Sequence, residues 1–259
     1  MAATSGSSAT SGTGLAGRCA IITGAARGQG AAHARALAAE GARVLIADVL
    51  DEDGRNLAAS IGATCRYQHL DVSSQADWEA AVEVATGAFG PVRVLVNNAG
   101  VLRRGSLESA SMDDYDLVMS VNVRGVFLGM RAVLDSMRDA GGGSIVNISS
   151  NAGMLGTPNA LAYVTSKWAV RGMTKAAAAE LGRYRIRVNS IHPGAVATPL
   201  LMADGFTEEA FLSRGKDRLA LPRIAQPEEI SPAVVYFASG LSGYATGSEL
   251  LVDGGWAIG

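Results

Sequence analysis

The sequence predicts an α/β fold, a single doubly wound parallel sheet of about seven strands with helices on both faces. Three observations predict it. Strand-like runs recur near 18–23, 42–47, 66–70, 92–97, 143–149, 186–191 and 249–252, with helix-like stretches between them. The runs are continuously apolar rather than alternating, as expected of strands covered on both faces. Hydrophobic residues make up 48% of the 259 residues and charged residues only 18%, enough apolar material for a large buried core. No repeat or linker divides the chain, so one domain is expected over 15–259. It follows a flexible Ala/Ser/Thr/Gly tail at 1–14 that lacks the charged start and apolar centre of a secretory signal.

The first strand runs straight into Thr23-Gly24-Ala25-Ala26-Arg27-Gly28-Gln29-Gly30, which opens an alanine-rich helix to about residue 39. Strand, glycine loop and helix in that order form a phosphate-binding unit: glycines let the backbone approach a pyrophosphate, and the first free N–H groups of the helix face its charge. The second strand ends at Asp48-Val49, about eighteen residues after Gly30. A carboxylate there accepts hydrogen bonds from a ribose 2′-hydroxyl and repels a 2′-phosphate. The third strand leads to Asp71-Val72. By itself Asp71 is equally well read as the N-cap of the following helix. The fourth ends in Asn97-Asn98-Ala99-Gly100, at the carboxyl edge where open α/β sheets bind ligands.

A long helix is expected over 112–138, with Asn122 inside it. Asparagine is a poor helix former, so its place there points to a kink or to a functional task. The fifth strand closes on Ser149-Ser150, and a second long helix over 160–181 carries Tyr163 and Lys167. Residues four apart share a helix face, so an ammonium would lie beside a phenol and favour its ionised form. Working as a proton shuttle near neutrality would need a fall of roughly three pKa units, about 4 kcal/mol. The sixth strand is followed by Pro193-Gly194-Ala195-Val196-Ala197-Thr198.

Taken together, Thr23-Gly-x-x-x-Gly28-x-Gly30, Asn97-Asn98-Ala99-Gly100, Asn122, Ser150, Tyr163-x-x-x-Lys167 and Pro193-Gly194 resemble the short-chain dehydrogenase/reductase superfamily in its single-domain, Rossmann-type form, from about residue 15 to the end. Stretches such as 169–175 and 187–194 look most like bacterial 3α(20β)-hydroxysteroid dehydrogenases. The resemblance implies hydride transfer between a nicotinamide coenzyme and a secondary alcohol or ketone. Tyr163 would be the proton shuttle, Ser150 the hydrogen bond to the substrate oxygen, and Lys167 the cation that also holds the nicotinamide ribose. Asn122 would place a relay water. It further implies coenzyme contacts at Gly24, Arg27, Gly28, Gln29, Gly30, Asp48, Val49, Asp71 (to the adenine amine), Val72, Asn98, Ala99, Gly100, Tyr163, Lys167, Pro193, Gly194, Val196 and Thr198.

Asp48 points to NAD(H) as the cofactor, although Arg27 lies where some NADP-using relatives place a phosphate-binding base. The segment 198–221 is similar to the family's variable substrate lid. Its apolar content, with Met154 and Leu155, favours an apolar sterol-, terpenoid- or cyclic-alcohol-like substrate. The alternative is an NADPH-dependent β-ketoacyl thioester reductase, for which Arg103, Arg104 and Arg124 are candidate phosphate-binding bases; a non-catalytic NAD-binding protein is a further alternative. Relatives also imply a homotetramer through the helices near 112–138 and 160–181.

The net charge of −2, with no basic run longer than a pair, gives no footprint for nucleic acid or an anionic membrane. No apolar stretch was expected to reach the ~18 residues of a bilayer span. The three histidines stand singly, with no metal-ligand spacing. Two cysteines, Cys19 and Cys65, read as free thiols of a reducing compartment, so a soluble cytoplasmic protein is expected.

Overall fold

The computed structural model describes residues 12–203, 207–215 and 219–258. Seven parallel strands form one sheet in the order β3-β2-β1-β4-β5-β6-β7, with β1 Cys19–Thr23, β2 Arg43–Asp48, β3 Cys65–His69, β4 Val92–Asn97, β5 Gly143–Ile148, β6 Ile186–Pro193 and β7 Glu249–Val252. Strand order reverses between β1 and β4, and that switch point opens a crevice at the carboxyl edge. Every residue of β1 is buried, as its unbroken apolar run requires of a central strand.

Each face has its own core. On one, Trp78 and Phe89 of α3 (Gln75–Phe89) and Met137 pack over Ile21, Leu95 and Ile145. On the other, Leu37 of α1 (Gly28–Ala39), Leu57 of α2 (Asp51–Ile61) and Phe237 cover Ile22, Ile46, Val96 and Val146. Within the sheet, Asn97 Nδ2 donates to Asn147 Oδ1 at 2.9 Å, and Asn147 Nδ2 donates to Thr174 Oγ1 at 2.9 Å. This buried polar chain fixes the rotation of α7 (Leu161–Leu181) on the sheet, and α7 carries Tyr163 and Lys167.

The long helix expected over 112–138 is present over Met112–Asp139, with its hydrogen-bond register changed partway. It consists of α4 (Met112–Met119), a π-helical turn Ser120–Arg124 around Asn122, α5 (Gly125–Ala132) and α6 (Leu134–Asp139). Across the turn, the N–H of Gly125 bonds to Ser120 O, one residue further back than in an α-helix. Counter to expectation, the run Met112–Asp139 is long and apolar enough, by length and composition, to cross a bilayer. Here it packs against β4, α3 and α7, which accounts for its apolar character.

Asp71 does not cap α3. Ser74 does, accepting from Asp77 N, while Asp71 Oδ1 binds Ser73 N and Ser73 Oγ in a local turn. After β6 come the short α8 (Pro199–Met202), α9 (Glu208–Gly215) and α10 (Ser231–Ala238). Of the residues singled out in the lid segment, Asp204, Gly205 and Phe206 lie outside the described residues, as do residues 1–11 of the expected tail. Thr13 is hydrogen-bonded at both its carbonyl, from Gly240 N, and its hydroxyl, to Glu40.

Candidate active site

The glycine loop sits at the switch point, pressed against the end of β4. Gly24 and Gly28 have φ of +61° and +57°, a region that disfavours side chains. A β-carbon on Gly24 would lie 2.7 Å from Ala99 Cα, and one on Gly30 would lie 2.6 Å from Asn98 Nδ2 and 2.8 Å from Ala25 Cα. The two ends are sewn together by polar contacts. Asn98 Nδ2 donates to Thr23 O and Gly24 O at 2.9 and 3.0 Å, and Thr23 Oγ1 accepts from Asn98 N and Ala99 N, both at 3.0 Å. Asp48, buried at the end of β2, accepts from Ala26 N at 2.9 Å and Leu50 N at 3.1 Å, so its carboxylate also holds the loop.

A cradle with no room for a β-carbon at Gly24 or Gly30, at the N-terminus of a twelve-residue helix, fits a pyrophosphate. Gln29 Oε1 is buried within it without a hydrogen-bond partner. Arg27, the N-cap residue of α1, is exposed and makes no side-chain capping bond. Val49 is 54% exposed beside Asp48, an apolar surface at the mouth. The Val72 side chain, by contrast, is spent on packing: a β-carbon on Gly125 would lie 2.7 Å from its Cγ2, and its carbonyl accepts from Trp78 Nε1.

On the other side of β4 the structure brings Ser150, Tyr163, Lys167, Asn122 and Gly100 together. A β-carbon on Gly100 would stand 3.4 Å from Asn122 Oδ1 and 3.7 Å from Lys167 Nζ. Lys167 is almost fully buried, with Nζ donating to Ile148 O at 2.9 Å and lying 5.5 Å from the centre of the Tyr163 ring. Burial pushes its pKa down to about 8, so it keeps its proton at neutrality by a factor of ~10.

The phenol departs from expectation. Burial raises the Tyr163 pKa above the ordinary tyrosine value, and the hydrogen bond with Ser150 opposes that rise without overcoming it. Proximity to one ammonium does not outweigh desolvation of the phenolate.

Ser150 is the N-cap of the 3-10 turn Asn151–Gly153, its Oγ accepting from Ala152 N at 3.1 Å. Ser149 Oγ instead donates to Lys167 O and ties the turn to α7. Asn122, almost fully buried, spends its whole side chain on structure: Oδ1 accepts from Val101 N at 2.8 Å, and Nδ2 donates to Val101 O and Ser166 Oγ at 2.9 and 3.0 Å.

Beyond β6, Gly194 presses on Asp253, Val196 bridges to Ala225, and Thr198 N-caps α8 through Leu201 N. A β-carbon on Gly28 would lie 3.5 Å from Thr198 Cβ and Pro199 Cδ, so the start of the lid segment rests on the glycine loop. Asp71 sits apart from these contacts, holding only its own turn. The sequence reading missed His192. Its ring is fully buried and bonds the Ser150 carbonyl, a contact created only when β5 and β6 pair. Among the described residues no cluster of His, Cys, Asp and Glu could hold a metal.

A dinucleotide cradle on one side of β4 and a buried lysine with a serine-bonded phenol on the other is the arrangement of an oxidoreductase that works with a nicotinamide coenzyme. Residues 24–257 match the family model described as enoyl-(acyl carrier protein) reductase, and the chain belongs to the short-chain dehydrogenase/reductase family. It is 50% identical over 245 residues to the 3-alpha-(or 20-beta)-hydroxysteroid dehydrogenase of Mycobacterium tuberculosis, covering 95% of this chain and 91% of that protein. It is 45% identical over 254 residues to trans-4-hydroxycyclohexanecarboxylate dehydrogenase of Sinomonas cyclohexanicum, covering 95% of each. The crystal structure of 3-ketoacyl-(acyl-carrier-protein) reductase from Brucella melitensis complexed with NADH superposes with a TM-score of 0.89 at 34% identity, covering 94% of this chain and all of that one.

Proposed function

We propose that this protein transfers hydride between NAD(H) and an apolar secondary alcohol or ketone, sterol-like or cyclic. The observation that carries the reading is the convergence of Ser150, Tyr163 and Lys167 beside Gly100, one strand from the glycine cradle. A bound oxidised nicotinamide supplies the hydride acceptor and a positive charge next to the phenol.

In oxidation, the Tyr163 phenolate takes the hydroxyl proton as the carbinol hydrogen leaves with its electron pair; in reduction the phenol gives the proton back. Ser150 donates to the substrate oxygen and steadies its developing charge, its single hydroxyl proton turning away from Asn151 Oδ1 to do so. Lys167 keeps the phenolate accessible and holds the nicotinamide ribose. With its side chain committed to Val101 and Ser166, Asn122 contributes to onward proton passage through its backbone, in a turn where helical hydrogen bonds change register.

The remaining coenzyme contacts are assigned as follows. Gly24, Gly28, Gln29 and Gly30 take the pyrophosphate, and Asp48 the adenosine ribose. Val49, Asp71 and the Val72 N–H take the adenine, and Asn98, Ala99 and Gly100 the middle of the molecule. Pro193, Gly194, Val196 and Thr198 take the nicotinamide amide. NAD(H) over NADP(H) rests on the Asp48 carboxylate, which would face a 2′-phosphate with like charge. Arg27, exposed at the N-cap of α1, is the base set against it. A tighter dissociation constant for NADPH than for NADH would reverse this assignment.

Substrate class rests on the exposed apolar side chains Leu200, Met202 and Leu221 in the lid segment 198–221, and on the steroid and cyclic alcohols named for the relatives. The thioester reductase reading is weaker, because Arg103 is paired with Asp114 at 3.2 Å and Arg124 lines an apolar groove with Met119, Val123, Phe127 and Met173. That groove, with Phe127 50% exposed, supports a homotetramer through α4–α6 and α7, in keeping with common oligomer symmetry. Two buried free thiols support a cytoplasmic location. A panel of sterols, terpenols, cyclic alcohols and β-ketoacyl thioesters, followed by reduced-nicotinamide absorbance with each coenzyme, tests the whole reading. Turnover of thioesters with NADPH and none of the alcohols would overturn it.

A further inference from the structure

His192 is fully buried near the end of β6, and both ring nitrogens are engaged. Nδ1 lies 3.0 Å from the carbonyl oxygen of Ser150, and Nε2 lies 2.8 Å from Ser190 Oγ. A carbonyl only accepts, so Nδ1 carries the hydrogen, and in the neutral ring Nε2 accepts from the Ser190 hydroxyl. Burial lowers the imidazole pKa below its ordinary value, which keeps the ring in this single neutral tautomer. The Ser150 carbonyl also accepts from Gly153 N at 2.9 Å. It is therefore gripped from two sides: by its own turn, and by a ring delivered from the neighbouring strand through the pairing Ile148↔Ile191.

We propose that His192 is a positioning residue, holding Ser150 by its backbone so that the serine hydroxyl stays aimed at the Tyr163 phenol and the substrate oxygen. This rests on the reading of Ser150 and Tyr163 as the proton-transfer pair. A second buried histidine supplies the control. His33 of α1 is equally buried, and its Nδ1 lies 2.9 Å from Ser231 Oγ on α10. Both histidines are buried partners of a serine, but only one touches the candidate site. The charged groups around His192 are Glu249 from β7 with Arg171 and Lys167 from α7. Tyr163, the group that titrates in the test, is faced by Ser150 from the turn after β5 and by Lys167 from its own helix.

The test compares His192→Leu, His192→Asn and His33→Leu. Each is assayed for melting temperature, NADH dissociation constant, kcat, and the pH profile of kcat/KM for oxidation of cyclohexanol or a sterol. His192→Leu removes the donor. Its kcat is expected to fall by about tenfold or more, as small misplacements of reacting groups do. Its pH profile should also move to higher pH, because a displaced Ser150 no longer favours the phenolate. His192→Asn places an amide N–H near the Nδ1 position and should recover most of both. His33→Leu should lose comparable melting temperature yet keep the wild-type kcat and profile.

A folded His192→Leu with wild-type kcat and profile overturns the proposal, as does a His33→Leu that moves the profile equally. Should His192→Leu not fold, His192→Phe, which keeps a ring in the same space and lacks the Nδ1 donor, carries the same test, and an unmoved profile there is decisive against it. Ser150→Ala and Tyr163→Phe run alongside. If both keep near-normal turnover, the reading of the site falls and the role of His192 with it. If both abolish turnover while His192→Leu does not, only the positioning role falls.

Discussion

The two halves of the site are built differently. The coenzyme half is made of backbone: Gly24, Gly28 and Gly30 against Ala99 and Asn98, closed by Thr23, Asn98 and Asp48, with almost every polar atom bonded to a main-chain partner. The half proposed for substrate, beyond β6, is made of side chains on short helices and the bend that follows them, where Leu200, Met202 and Leu221 stand exposed. Main-chain geometry tolerates almost no substitution, whereas apolar side chains can be exchanged at modest cost. The first half can therefore serve one coenzyme, while the second can be altered for a new substrate without rebuilding the fold.

The sharpest test acts where the halves meet. Tyr163→Phe removes one hydroxyl from α7 and leaves the cradle intact. We expect kcat to fall by about 10³-fold while the NADH dissociation constant stays within about twofold, because general acid–base groups contribute 10²–10⁴-fold. Steady-state kinetics with a fluorescence titration checks both numbers. Wild-type turnover would mean that the phenol is not the shuttle.

Within the coenzyme half, Gly30→Ala should act on binding first. The new methyl has Asn98 Nδ2 and Ala25 Cα within 2.8 Å and backbone on its remaining side. Such overpacking costs about 1–3 kcal/mol, up to ~100-fold in the NADH dissociation constant. Isothermal titration reads it directly. An unchanged constant would show the loop to be more yielding than its contacts imply.

This asymmetry also explains what was legible in the sequence. The central strands such as β1 and β4 could be read because a covered strand needs a near-continuous apolar run, and the glycine loop because only glycine fits positions such as Gly24 and Gly30. Asn122 was legible as an anomaly: a poor helix former inside a long helix marks the π-helical turn, although the sequence could not say that its side chain would hold Val101. The upward pull of burial on the Tyr163 pKa was not legible, because spacing along a helix reports the neighbouring charge but not the desolvation of the phenol. His192 was invisible because its bond to Ser150 spans 42 residues and exists only once β5 lies beside β6. The lid was legible only as an apolar stretch, since what braces it comes from the far end of the chain.

That brace gives a smaller prediction for the substrate half. Trp256 stacks on Phe211 of α9 with ring centres 5.1 Å apart, and a β-carbon on Gly215 would collide with the indole. Asp253 accepts from Gly255 N and Ala257 N, both at 2.9 Å, and Leu221 N donates to Gly254 O at 2.9 Å, so the turn that presents Trp256 is itself fixed. Aromatic pairs are worth about 0.5–1.5 kcal/mol beyond their buried area. Trp256→Ala is expected to raise KM for apolar alcohols about 3- to 10-fold and to leave NADH binding alone. A matching loss of NADH affinity would show that the two halves are not separable as described.

The smallest effect concerns α7, the helix both halves share. Glu249 of β7 takes Arg171 Nε at 2.7 Å and Lys175 Nζ at 2.8 Å, clamping the outer face of α7 to the edge strand. The hydrogen bond from Arg171 is the main reason its carboxyl is held at about 2, below the ordinary 4.5. A carboxylate whose folded pKa is depressed contributes stability that is present above its unfolded value and is lost as pH falls toward the folded one. The window therefore runs from about 4.5 down to about 2. Lys175 is half exposed, so screening reduces the clamp to about 1 kcal/mol, or about 2–4 °C in melting temperature for a chain of this size. Glu249→Gln should accordingly melt a few degrees below wild type at neutral pH, and the two should converge on acidification through that window. A constant gap between the two curves would place the stabilisation in packing rather than in charge, and would leave α7 held chiefly by the buried Asn97–Asn147–Thr174 chain beneath it.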